Sequence, residues 1–129
     1  MAIQHITHFT LYVKNQDECL AWYQEKLGFI VCEDNSQLVN NFRWLTISPA
    51  LDKSTQFVLM PTNGKEDERR IGKNGMCVLT SDNCESDCMQ FSKRGVEIVQ
   101  SPESLPWGLS AIIKDLYGNF YNLVELRRQ

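Results

Sequence analysis

The apolar positions of this chain change their period as one reads along it, and each change marks an element. In HITHFTLYV (5–13) they alternate, so Phe9, Leu11 and Val13 fall on one side of an extended strand and His8, Thr10 and Tyr12 on the other. From Asn15 the spacing lengthens. Leu20, Tyr23 and Leu27 recur at helical intervals, Asn15 is placed as an N-cap with Glu18 as its capping-box partner, and Gly28 stops the helix. FIVCED (29–34), FRWLTIS (42–48) and TQFVLMP (55–61) return to strand character. The predicted order is strand, helix, strand, strand, strand.

The second half repeats that order. GMCVLTS (75–81) predicts a strand, and Asp82 or Asn83 caps a helix, with Glu85 placed to close a box on Asp82. Cys84, Cys88 and Phe91 form its inward stripe, Gly95 stops it, and VEIVQ, LSAIIKD and FYNLVEL predict three further strands. Sliding the second half back by 68 residues sets Met76 on His8, Leu79 on Leu11 and Asn83 on Asn15. The chain is therefore expected to be one domain, 1–129, with a first module at about 1–62, a linker at 63–74 and a second module at about 75–129. NGKEDERRIGKNG (63–75) has the composition of a linker, with a solvated helical turn as the alternative for its middle.

Composition then narrows the classes of function. With 43% hydrophobic and 22% charged residues, the chain suits a globular domain that buries its own core. A net charge of −3 offers no basic surface to nucleic acid or anionic lipid, so neither is an expected partner. No apolar run approaches the roughly 20 residues that span a bilayer. MAIQHITHF has no basic and apolar leader pattern, which makes the cytoplasm the expected location. Five cysteines, an odd number in a reducing compartment, argue against a disulfide framework. Cys84 and Cys88 are either a metal or redox pair or, more simply, small core residues four apart on a helix.

The duplicated strand–helix–three-strand unit carries a family resemblance. HITHFTLYVKNQDECLAWYQEKLGF is similar to the opening strand and helix of the vicinal oxygen chelate superfamily, which includes glyoxalase I, bleomycin-resistance proteins and extradiol dioxygenases. GMCVLTSDN resembles the start of that family's second module, and DLYGNFYNLVE its DPDGN…LVE ending; RWLTISP and PWG resemble segments of its small members. The resemblance implies an α+β fold of two βαβββ modules, with curled mixed sheets forming an open-barrel cavity. It also implies that small members form homodimers, and that family enzymes hold a divalent metal with histidines and glutamates from the first and last strands of each module.

Carried over residue by residue, those family positions fall on His8, on Gln56 or Val58, on Met76 and on Asn122. Only His8 matches the expected ligand type. His5 and Glu125 lie three residues from His8 and Asn122 and so point to the opposite strand faces. No metal is therefore expected as a cofactor, and a divalent ion is disfavoured. The expected ligand-binding residues are His8, Thr10, Tyr12, Trp44, Met76, Trp107, Phe120 and Asn122, with Phe42, Val78 and Thr80 nearby and Trp107 at the rim. His8 is the one catalytic candidate, and it also admits a purely structural role. The expectation is a protein that binds a small organic molecule. The alternatives are a lyase or dioxygenase with a rearranged metal site and a metal-free isomerase using His8.

Overall fold

A computed structural model describes residues 2–39, 42–50 and 52–127. The chain divides into two units, Met1–Ile71 and Gly72–Gln129. The first holds β1 (His8–Val13), α1 (Gln16–Trp22) continuing as a π-helical turn (Tyr23–Leu27), β2 (Ile30–Val39), β3 (Phe42–Ser48), β4 (Gln56–Pro61) and a short α2 (Lys65–Glu68). The second holds β5 (Met76–Thr80), α3 (Cys84–Lys93), β6 (Glu97–Leu105), β7 (Gly108–Lys114) and β8 (Phe120–Leu126). Each unit builds one four-stranded mixed sheet, ordered β1-β4-β3-β2 in the first and β5-β8-β7-β6 in the second. First and last strands pair in parallel and the rest are antiparallel, the α+β architecture that the sequence pattern predicts. Both sheets are open, and α2 occupies the middle of the charged 63–75 segment as a helical turn.

A parallel pair cannot be joined by a tight turn, so each first strand is followed by a helix laid across the sheet. In the first unit Leu11, Val13, Leu45, Ile47, Phe57 and Leu59 are buried on the helix side. Tyr23, fully buried, meets Phe29 edge-on at 5.2 Å, and Phe29 stacks on Phe57 at 5.9 Å. The helix buries Cys19 and Tyr23 rather than the expected stripe of Leu20, Tyr23 and Leu27, whose two leucines are only half-buried. The π-helical turn from Tyr23 winds more widely and rotates Leu27 off a 3.6-residue stripe, while ahead of it Cys19, four residues before Tyr23, takes the inward position in place of Leu20. Asn15 caps the helix as expected, its Oδ1 accepting from Glu18 N at 2.8 Å. Gln16 ties the helix start to the sheet by donating to the carbonyls of Arg43 and Leu59. Arg43 adds ion pairs to Asp17 at 2.6 Å and Asp34 at 2.8 Å, clamping α1 and β2 to β3.

In the second unit Cys84 and Cys88 pack with Ala111 and Leu123, so both thiols are core. The helix cap is Asn83, whose Oδ1 accepts from Ser86 N, and not Asp82. A strand completes it: Glu125 Oε1 accepts from Cys84 N at 2.7 Å. The DLYGN turn before β8 is closed by the buried Asp115, whose Oδ1 accepts from the backbone N–H groups of Tyr117 and Asn119. At the β6–β7 turn Gly108 has φ +151, and any Cβ there would stand 2.0 Å from the Glu125 carbonyl oxygen.

Three outcomes follow from these contacts. Glu125→Ala leaves the start of α3 short of an acceptor and is expected to cost about 1 kcal/mol in denaturant unfolding; no loss would show the contact to be idle. Burial, and secondarily Cys88, pushes the Cys84 thiol up to about 12. Alkylation at about pH 8 should therefore spare Cys84 and Cys88 in native protein and reach both only on unfolding. The Arg43 hydrogen bond lowers the Asp34 carboxyl below its ordinary 3.8. A depressed carboxylate stabilises the fold above its unfolded value and loses that contribution as pH falls through the folded one. Asp34→Asn should thus cost about 0.5–1 kcal/mol at neutral pH and progressively less below about pH 4, read from urea unfolding across pH.

Candidate functional site

Strand alternation leaves each sheet with a second face, turned away from its helix. In the first unit that face carries His8, Thr10 and Tyr12 from β1, Gln56 and Val58 from β4, and Trp44, Thr46 and Ser48 from β3. The register fixes the neighbours: His8 lies opposite Gln56, Thr10 opposite Val58, and Thr46 opposite Val58 from the other side. The His8 ring stands 5.5 Å from that of Trp44 at an interplanar angle of 59°. His8 is exposed, with Nδ1 2.9 Å from Thr7 Oγ1, so it is not a core histidine. Thr46, Ser48 and Val58 are buried, and Trp44 and Gln56 are half-buried.

Two oxygens on this face lack partners. Among the described residues, the buried side-chain N and O atoms without a hydrogen bond are Thr46 Oγ1 and Gln56 Oε1. The Gln56 amide is oriented by its other end, where Nε2 donates to the Lys53 carbonyl at 3.3 Å. Only the N–H end can donate to a carbonyl, so Oε1 is the unpaired atom. An unpaired buried polar group typically costs about 1–3 kcal/mol.

Tyr12 is already engaged. Its hydroxyl accepts from Arg70 Nη1 at 2.8 Å, and the guanidinium carbon lies 5.3 Å from the ring centroid. Arg70 sits in the segment whose composition reads as linker, and nothing in the sequence places it against Tyr12. Thr46, by contrast, was discoverable: it lies two residues from Trp44 in an alternating strand and must share its face.

In the second unit the corresponding face carries Met76, Val78 and Thr80 of β5, all exposed, beside Phe120 and Asn122 of β8. Asn122 Nδ2 donates to Ser110 Oγ at 2.7 Å and to the Ala111 carbonyl at 2.9 Å, so this amide ties β8 to β7. Trp107 stands apart from these residues, 44% exposed at the β6–β7 turn, its carbonyl accepting from Arg127 N. An open depression of about 590 Å³ lies at the start of α3, between Thr80 and Arg127. Two of its polar walls are committed, Ser81 Oγ to Asp87 and Glu125 to Cys84 N.

The parallel registers decide between Gln56 and Val58 as the position matching Asn122. Thr10 and Val78 correspond under the 68-residue offset; Thr10 pairs with Val58 and Val78 with Asn122. The matched set is therefore His8, Val58, Met76 and Asn122. In the first unit an imidazole stands with an aliphatic side chain, and in the second a thioether stands with an amide already donating within its sheet; neither pair offers the imidazole nitrogen together with carboxylate oxygen that a divalent first-row ion takes. Among the described residues no three His, Cys, Asp or Glu side chains form a group that could hold a metal ion.

Residues 5–125 match the model of the Glyoxalase/Bleomycin resistance protein/Dioxygenase superfamily. An uncharacterised protein of Shewanella frigidimarina is 29% identical over 127 residues, which span 95% of this chain and 94% of that protein. A member of the superfamily from Sphaerobacter thermophilus is 30% identical with a TM-score of 0.84, over 97% of this chain and 99% of its own. TnmS3, an antibiotic binding protein from a Streptomyces species, is 28% identical with a TM-score of 0.81, over 98% of this chain and 99% of its own. With the paired βαβββ units and the extent of the family match, this chain belongs to the Glyoxalase/Bleomycin resistance protein/Dioxygenase superfamily.

Proposed function

We propose that this chain is a small-molecule-binding protein that holds an organic ligand against the far face of the first sheet without a catalytic metal. The observation that carries the proposal is the character of that face. It sets the His8–Trp44 ring pair beside neutral polar side chains at Thr46 and Gln56 and supplies no carboxylate where family enzymes hold one. Such a mixture of aromatic surface and a few fixed polar groups suits recognition of a compact organic molecule. The antibiotic binding protein among the structural relatives supports the same class of activity. Self-association as a homodimer belongs to this proposal on the family resemblance, and a cytoplasmic location on the composition of the N-terminal stretch.

Two measurements test it. Purified protein is expected to contain no stoichiometric nickel, zinc, iron or manganese by elemental analysis; bound metal that disappears in His8→Ala would overturn the proposal. In a thermal-shift screen, aromatic small molecules that stabilise the parent protein should bind Trp44→Ala about tenfold more weakly, equivalent to about 1.4 kcal/mol. Unchanged affinity in that variant would place the ligand elsewhere.

A further inference from the structure

We infer that the ligand of the first sheet's far face is an organic acid, whose carboxylate Arg70 receives while its body lies along β1 over Thr10. The inference rests on the binding proposal and adds the charge class of the ligand. On β1 the exposed Thr10 stands between two groups that a ligand can reach. Two residues before it, the His8 ring lies 5.5 Å from that of Trp44. Two residues after it, the Tyr12 hydroxyl accepts from Arg70 Nη1 at 2.8 Å, and the guanidinium carbon stands 5.3 Å from the ring centroid. Both His8 and Arg70 are exposed. Strand rise sets His8 and Tyr12 about 13 Å apart, room for a bicyclic aromatic body and one charged group.

Arg70 is held in place without a counter-charge. The carboxylates nearest it in sequence are committed elsewhere, Glu66 to Arg69 at 3.1 Å and Asp67 to the Asn63 N–H at 3.0 Å. Among the described residues no carboxylate forms an ion pair with Arg70. The strands beneath it supply none, since β1, β3 and β4 contain no Asp or Glu at all. On β2, Asp34 is turned to Arg43 on the helix side. Glu33, opposite Thr46, shares the far face but lies three strands across from β1, about 14 Å away. A guanidinium carries five N–H donors in a planar fork that matches a carboxylate in two bonds. A neutral hydroxyl and a ring fix that fork over the sheet and leave its charge to an incoming anion.

The bland alternative is a solvated arginine that merely rests on Tyr12, and a matched pair of probes separates the cases. Binding is measured calorimetrically at neutral pH with 2-naphthoate and 2-naphthalenemethanol, which share a ring system and differ in charge. The parent protein should prefer 2-naphthoate by about tenfold. Arg70→Gln should bring the two affinities within about twofold of each other, and Arg70→Lys, which keeps the charge, should restore part of the preference. The parent gives a second reading that needs no substitution. Raising salt from about 0.05 M to about 0.5 M should weaken the acid several-fold relative to the alcohol. Equal affinity of the parent for both compounds, or a preference for the acid that survives Arg70→Gln, overturns the inference. Where that binding still depends on Trp44, the binding proposal stands. Affinity for neither compound, or affinity indifferent to Trp44→Ala, overturns both.

Discussion

Everything on the candidate face depends on the parallel pairing of the first and last strand in each unit. That pairing forces a helical crossover, which covers one face of the sheet and leaves the other to a different use. It also sets the register that brings His8 beside Gln56 and Val78 beside Asn122. Because strand side chains alternate, a slip of one residue would exchange the two faces entirely. Glu125 shows the force of this. Three residues beyond Asn122 it lies on the helix side, and there its carboxylate caps α3.

Polar side chains on both faces find partners, Tyr12 with Arg70 and Asn122 with Ser110 among those on the far faces. On the helix side, Gln16 donates to two strand carbonyls, Ser81 joins Asp87, and Asp115 closes its turn with backbone and side-chain bonds. On the far face of the first sheet, a fully buried threonine and a glutamine carbonyl are left without partners. Local stability explains the first pattern. It does not explain the second, since valine at 46 would fill the same space at lower cost.

Much of this fold was legible because it rests on local periodicity. The alternation in HITHFTLYV, the cap at Asn15, and the turn at Asp115–Asn119 each act over a few residues, and the structure follows them. Long-range choices were less legible. Glu125 capping Cys84 spans 41 positions and Arg70 reaching Tyr12 spans 58, and no local pattern encodes either. The choice between Gln56 and Val58 stayed open for a similar reason, since both share one strand face and only the register of β4 on β1 separates them. The capping box at Asp82 failed because Asn83 and a strand carboxylate satisfy the helix start instead.

On the proposed reading, the residues at the family's metal positions bear on more than whether a metal is held. A site built from histidine and glutamate around a divalent ion attracts anionic oxygen ligands, because the ion is the largest local charge. Val58, Met76 and Asn122 bring no charge of their own to those positions, so the proposed binding would draw on the first sheet's own polarity. Its unpaired atoms are one acceptor and one hydroxyl beside two aromatic rings. Neutral side chains discriminate through geometry and hydrogen bonding rather than through charge.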